Sequence, residues 1–200
     1  MEEIKQGELE DMKIVAASNE LFSIAMYNLL KDEKGNVIIS PLSLSMAMAM
    51  LSVGAEGQTF QQINEGFFFP SPAILQAGYQ SILELQRSSD YFTLEMANNI
   101  FAQKDYMVMS EFKQIMKRSF RAEMQMVDFE GDTKGAARVI DLWVSQQTRN
   151  RINTISEDIL TSSTKMVLLN TMFFHGKWEK KFETERTKQK EFFLSIPRKQ

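Results

Sequence analysis

Residues 36–59 read NVIISPLSLSMAMAMLSVGAEGQT, and this stretch decides the fold. It opens with a short β-branched apolar segment at 37–39 and continues into Ser40 and Pro41. Serine is a good helix N-cap and proline suits a first helical position, so Ser40 predicts the start of a helix that runs to Gly54. That helix is apolar nearly all round, which is typical of a helix enclosed by the rest of a domain.

The flanking sequence carries both helical and strand patterns. Apolar spacing predicts a helix over about 12–31, behind an acidic lead-in at 1–11. It predicts further helices over 61–66, 73–88, 111–119 and 136–152, and Ser110 is expected to cap the helix at 111–119. Alternation predicts strands at 91–101, 123–129 and 166–174. The last strand is apolar on both faces as far as Asn170, which predicts a place inside a sheet and not at its edge.

Composition limits the function classes. The chain has 200 residues, 44% of them hydrophobic and 24% charged, and its formal charge is 23 − 26 = −3. It shows no internal repeat, no linker, no apolar run of membrane-spanning length and no Lys/Arg stripe. We therefore expect one domain over 1–200 with neither a membrane nor a nucleic acid as its partner. Cysteine is absent, so disulfides and thiolate chemistry are excluded.

Motifs for catalysis, cofactors or metals are missing from the sequence. Residues 110–113 and 162–165 both fit the Ser-x-x-Lys pattern of serine acylases, but neither is followed by the partner triplets, and a helix cap or a turn explains each. His175 is the single histidine, so a histidine-pair metal site cannot form. It is interpreted as a strand-end residue that makes one hydrogen bond. No enzyme activity, cofactor or metal is expected.

Four blocks resemble the serpin family. Residues 36–59 are similar to the serpin N-V-x-x-S-P-x-S start and G-A-x-G-x-T finish, and residues 168–182, LLNTMFFHGKWEKKF, are similar to its central strand and the tryptophan that follows. Residues 94–101 and 143–152 match in the right order. The resemblance implies an α+β serpin fold in its N-terminal portion, with helices packed on a mixed sheet, sheet A, to which this chain contributes about three strands.

The resemblance also assigns conformational roles to four residues. Ser40, Ser43 and Asn170 match the polar "shutter" under the middle of sheet A, where the central strands part, and Trp178 matches the "breach" at the top of that sheet. Polar groups that are satisfied in both the closed and the opened sheet let strands separate without leaving a donor unpaired.

Some positions depart from the family pattern. Asp141 and Arg151 stand where Asn and Lys are usual, which leaves open how the helix at 136–152 is held against the sheet. The helix at 73–88 has Arg87 as its only basic residue, so we expect no heparin site there.

The resemblance implies a serine endopeptidase inhibitor that works by inserting a cleaved reactive loop into sheet A. That loop lies near the C-terminus of a chain nearly twice this long, so we expect these 200 residues to form an incomplete domain that is not inhibitory alone. The alternatives are a non-inhibitory serpin-derived chaperone or carrier and an unrelated enzyme that uses His175. The habit of the family favours an extracellular location, whereas the lack of a signal peptide, cysteine and glycosylation sequons favours the cytoplasm.

A last expectation concerns the strand at 166–174. If its next partner in sheet A lies outside these residues, its outer edge is open. Open edges recruit strands, so we expect self-association or capture of an extended peptide along this edge.

Overall fold

The computed structural model describes residues 6–84, 91–155 and 159–191. Within these residues the chain forms six helices, three strands and one short 3₁₀ helix. The helices are α1 (Gln6–Leu30), α2 (Pro41–Val53), α3 (Gly57–Gly66), α4 (Pro72–Glu84), α5 (Ser110–Phe120) and α6 (Thr133–Gln147). The strands are β1 (Phe92–Gln103), β2 (Glu123–Val127) and β3 (Met166–Gly176), and the 3₁₀ helix is Thr184–Arg186.

The three strands form one mixed sheet in the order β2-β1-β3. β1 pairs parallel with β2 and antiparallel with β3, and the second register runs from Phe92 opposite Gly176 to Ala102 opposite Met166. The centre of the sheet is therefore β1, whose last six residues are all buried. The α+β class and the mixed three-stranded sheet predicted from the sequence are confirmed.

The larger core lies on the side of the sheet that α2 covers. Its buried members come from α1, α2, α4, α5 and β1, and they include Met46, Met50, Tyr79, Ile100 and Phe120, each fully enclosed. Burying a side chain of this size stabilises the fold by about 1.5–3 kcal/mol. We call this side the α2 face.

A smaller core lies on the opposite side, which α6 covers and which we call the α6 face. Its buried members are Phe101, Val127, Phe129, Ala136 and Ile140. Trp143 of α6 packs edge-on against Phe101, with 6.1 Å between ring centroids. Alternation along the strands assigns the two faces, because even-numbered residues of β1 and β3 point to the α2 face and odd-numbered residues to the α6 face.

Of the predictions about where helices start, one is confirmed and two are wrong. Ser40 is the N-cap of α2, as predicted, and its side chain accepts from the Ser43 N–H. α1 begins at Gln6, so part of the acidic lead-in at 1–11 is helical. Ser110 does not cap α5: it is the first helical residue, and the cap position is Met109, which makes no side-chain cap bond.

Two further expectations about burial and pairing were wrong. α2 is not fully enclosed, because Leu44 and Leu51 are exposed on its outer side. β3 is an edge strand of the described sheet, which contradicts the inner position predicted from its apolar faces but agrees with the open edge expected from the resemblance. Its apolar character on both faces reflects two helical layers above and below it, which do not cover its outer edge.

None of the described helices is both long enough and apolar enough to cross a membrane.

Candidate functional site

A pair of asparagines lies at the centre of the sheet. Asn98 of β1 and Asn170 of β3 are direct cross-strand partners, and both side chains lie on the α2 face. The Nδ2 of Asn170 donates to the Oδ1 of Asn98 at 2.8 Å. This bond joins the two strands through their side chains as well as through the backbone ladder.

Asn98 also ties the sheet to the helices behind it. Its Nδ2 donates to the Phe120 carbonyl at 2.7 Å, at the end of α5, and contacts the Met46 Sδ in α2 at 3.2 Å. Asn98 is 5% exposed, so these bonds replace water that the amide has lost. Loss of the amide would leave the buried partners of Asn98 without their bonds.

Asn170 keeps one polar atom without a partner. Its Nδ2 also contacts the Met46 Sδ at 3.5 Å, whereas its Oδ1 is buried and accepts no hydrogen bond from the described residues. A buried amide oxygen of this kind costs about 1–3 kcal/mol until a donor reaches it. Within the described residues, the site is therefore incomplete at the Asn170 Oδ1.

Ser40 and Ser43 form a separate polar contact at the start of α2. Ser40 Oγ donates to Ser43 Oγ at 3.0 Å and lies 3.5 Å from Met172 Sδ in β3. In the described part of the chain, neither serine bonds to Asn170. The three residues predicted as a shutter therefore lie along one strip of the α2 face but form two clusters, and their shared conformational role remains a prediction.

The outer edge of β3 presents regularly spaced backbone groups. The Gln103 N–H donates to the Lys165 carbonyl and the Lys177 N–H donates to the Tyr91 carbonyl, so odd-numbered residues of β3 exchange bonds with β1. Because the ladder of an antiparallel pair alternates, even-numbered residues turn their N–H and C=O groups outward. The outward-facing residues are Met166, Leu168, Asn170, Met172 and Phe174. No strand of the described residues pairs with this edge.

An apolar cleft adjoins that edge at the start of β3. It has a volume of about 380 Å³ and lies between α2, α5 and the start of β3. Its lining includes Leu51, Phe112, Met166 and Leu168. A strand added beside β3 would place alternate side chains over this cleft.

A buried tyrosine supports the core behind the cluster. Tyr79 of α4 is fully enclosed, stacks in a tilted arrangement on Phe120 at 5.7 Å and donates from its hydroxyl to Ser45 Oγ at 2.8 Å. Burial raises the pKa of Tyr79 above its ordinary value, and the hydrogen bond to Ser45 opposes that rise in part. The phenol is thus held neutral.

The other residues singled out in the sequence lie at or beyond the end of β3. Trp178 is 73% exposed and contacts Phe182 edge-on at 6.4 Å. Its assignment to the breach remains a prediction. His175 is exposed in β3, opposite Thr93. Among the described residues, no group of three His, Asp or Glu side chains could hold a metal ion.

The role of Asn98 was missed by sequence reasoning, although the residue stands in one of the family-like blocks. Two adjacent asparagines, Asn98 and Asn99, occur in a strand whose residues alternate between faces. The alternation alone could have indicated that one of them meets Asn170 and the other does not. The contact with the Phe120 carbonyl depends on helix packing and had no signal in the sequence.

The class of protein follows from this geometry and from comparisons with known proteins. The described residues place six helices around a mixed sheet with a polar cluster at its centre and an open outer edge. The family model for "Serpin (serine protease inhibitor)" matches residues 17–199. This chain belongs to the serpin family.

Individual relatives agree with that assignment. The pig (Sus scrofa) leukocyte elastase inhibitor is 31% identical over 188 residues, which are 92% of this chain and 50% of the relative. Iripin-3 of Ixodes ricinus is 34% identical, over 92% of this chain and 48% of its own length. The solved structure of cleaved Serpin 42Da superposes with a TM-score of 0.84 at 30% identity, covering 92% of this chain and 50% of that one. The chain spans about half the length of these relatives.

A further solved relative is cleaved kallistatin in complex with heparin, with a TM-score of 0.85 and 28% identity over 91% of this chain and 55% of that one. The described helix α4 carries no Lys or Arg, and Arg87 lies outside the described residues. The expectation that this helix does not bind heparin stays a prediction.

Proposed function

We propose that this chain forms the N-terminal half of a serpin that inhibits serine proteases and that these 200 residues alone do not inhibit. The observation that supports this proposal is the outer edge of β3, where alternate backbone groups face outward and the Asn170 Oδ1 has no donor among the described residues. Such an edge suits the addition of a further strand, which is the event on which the loop-insertion mechanism of the family depends.

In this proposal, Asn98 and Asn170 let β3 exchange neighbours without unpairing buried polar groups. Asn98 remains bonded to the Phe120 carbonyl whatever occupies the outer edge, because that bond lies on the α2 face. The free Oδ1 of Asn170 supplies an acceptor for a donor on an added strand. Ser40 and Ser43 fix the start of α2 under the same part of the sheet.

The target is a serine protease, and relatives named for leukocyte elastase make an elastase-like enzyme the first one to test. The experiment compares this chain alone with a chimera that continues into the second half of the pig leukocyte elastase inhibitor. We expect the chimera to form an SDS-resistant adduct with leukocyte elastase and the 200 residues alone to form none. A covalent band from the 200 residues alone would refute the proposal, and so would a folded chimera that elastase cleaves without being trapped.

A second candidate is a non-inhibitory strand-binding protein, such as a carrier or chaperone. The apolar cleft between α2, α5 and β3 favours it, because a groove beside an open edge can hold an apolar side chain of a captured peptide. A chimera that binds peptides tightly but never traps elastase would favour this function over inhibition.

A further inference from the structure

The C-terminal end of α6 is attached to the sheet through Arg149. The guanidinium donates from Nε to Glu95 Oε2 at 3.0 Å and from Nη2 to Glu95 Oε1, so the pair is bidentate. The guanidinium carbon also lies 5.0 Å from the centre of the Phe173 ring. Since Glu95 and Phe173 are cross-strand partners, one side chain contacts both β1 and β3.

The backbone after α6 directs Arg149 toward the sheet. Arg149 has a φ of 52° and Asn150 a φ of 60°, a left-handed conformation that asparagine tolerates but arginine rarely adopts. Thr148 holds this turn, because its Oγ1 donates to the Val144 carbonyl at 2.8 Å and accepts from the Ile152 N–H at 3.1 Å. An unfavourable backbone conformation persists only where surrounding contacts hold it. At Arg149 these contacts are the hydrogen bonds of Thr148 and the bonds of the guanidinium to Glu95.

Other contacts between α6 and the sheet are modest. α6 contributes Ala136 and Ile140 to the smaller core, buries Val144 and packs Trp143 against Phe101, whereas its Val139 and Leu142 are exposed. On the sheet side of this face, Asn99 is 1% exposed and neither of its amide atoms has a partner among the described residues. A smaller core that contains a buried amide without a described partner separates at lower cost than the larger core of the α2 face.

We propose that Arg149 is a positioning residue that latches the C-terminal end of α6 to the sheet through Glu95 and Phe173. When the latch releases, this end of α6 lifts while the α2 face stays packed. The inference rests on the proposed function, because a strand added beside β3 places alternate side chains on the α6 face, next to Phe173. The latch adds to a second contact of this helix, in which Asp141, one of the departures from the family, accepts from the Ile155 N–H at 3.0 Å.

The test measures local opening directly. Three amides report on the end of α6: those of Thr148, Asn150 and Ile152, each bonded within this turn. In Arg149→Gln we expect their hydrogen exchange to rise about three- to tenfold, since a bidentate pair and a cation–π contact are both lost. The amides of α2 should exchange at unchanged rates. High salt should raise the exchange rates of these three amides in the unmodified chain, part of the way toward their rates in the variant.

Fluorescence gives a second readout. The chain has two tryptophans, so Trp178→Phe leaves Trp143 of α6 as the sole indole. In that background, Arg149→Gln should increase quenching of Trp143 by acrylamide. Glu95→Gln should reproduce the effect, and the swapped pair Glu95→Arg with Arg149→Glu should restore most of the protection.

A matched control uses Arg138, which pairs with Asp132 within the α6 region at 4.0 Å and does not reach the sheet. Arg138→Gln should leave both readouts unchanged. The latch is refuted if Arg149→Gln raises exchange no more than this control does, or if α2 exchanges faster by the same factor. Peptide addition at β3 is measured separately. If the variants confirm the latch but no peptide adds to β3, the proposed function is overturned and the latch is not.

Discussion

The two faces of the sheet differ in the size of their cores and in how they hold the two neighbouring asparagines of β1. On the α2 face, Asn98 bonds to Phe120 and accepts from Asn170, and Tyr79 bonds to Ser45, all within a large close-packed core. On the α6 face, the neighbouring Asn99 is equally buried but has no partner among the described residues, whereas Gln103 accepts from two backbone N–H groups, and the core is small. The α2 face therefore has the larger close-packed core. The α6 face is covered by one helix with a smaller core and the Arg149 contacts at its C-terminal end.

The largest expected effect comes from removing the amide on the supported face. Asn98→Ala leaves the Phe120 carbonyl and the Asn170 amide unpaired in a buried site and opens a small cavity, so we expect it to lower the free energy of unfolding by about 3 kcal/mol. Urea unfolding monitored by far-UV circular dichroism measures the change.

Its matched control is Asn99→Ala, one residue along the same strand. Because Asn99 loses no hydrogen bond, we expect a change within about 1 kcal/mol of zero. Equal losses from Asn98→Ala and Asn99→Ala would contradict the difference between the two faces.

A smaller effect is expected from Tyr79→Phe. The variant keeps the ring but leaves the buried Ser45 hydroxyl without its donor, which should cost about 1–2 kcal/mol in unfolding free energy. The same urea series measures it, with Tyr106→Phe as the control because Tyr106 is exposed. A loss as large from the control would show that the buried hydrogen bond is not the cause.

Tyr79 also gives the α2 face a pH dependence. Its pKa is raised in the folded state by burial, so the neutral phenol favours folding. This contribution is fully present below the ordinary tyrosine pKa of about 10 and is lost as the pH rises beyond it, because the unfolded chain ionises first. Stability should therefore fall more steeply above pH 10 in the unmodified chain than in Tyr79→Phe. Parallel curves would contradict this assignment.

The fold was more predictable from the sequence than the site. The Ser40 cap and the three strand patterns depend on local propensity and alternation, which the residues carry themselves. The apolar pattern of β3 wrongly indicated an inner strand, because apolar residues on both faces indicate cover above and below and say nothing about the outer edge. The open edge was expected only from the resemblance to the serpin sheet. The Asn98 network and the Arg149 contacts join residues that are 22 and 54 positions apart, which depends on packing.

The last variant is judged by association and not by stability, because Leu168 also packs against the larger core. Leu168 turns its N–H outward, so Leu168→Pro should keep the ladder to β1 and suppress self-association by removing an edge donor. Leu169→Pro is the matched control, because it removes a donor to β1 and should destabilise the chain instead. Sedimentation velocity at increasing concentration compares them. An association unaffected by Leu168→Pro would place the contact elsewhere.

The most direct test of the account is amide hydrogen exchange along β3, residue by residue, by NMR. If the outer edge accepts a strand, the amides of Leu168, Asn170 and Met172 exchange rapidly in the dilute chain, while those of Val167, Leu169 and Thr171 are protected by β1. An extended peptide with a serpin reactive-loop sequence should then slow the first group at least about tenfold and leave the second group unchanged. Protection of both groups in a dilute monomer without peptide would show that the edge is already covered and would contradict the central claim.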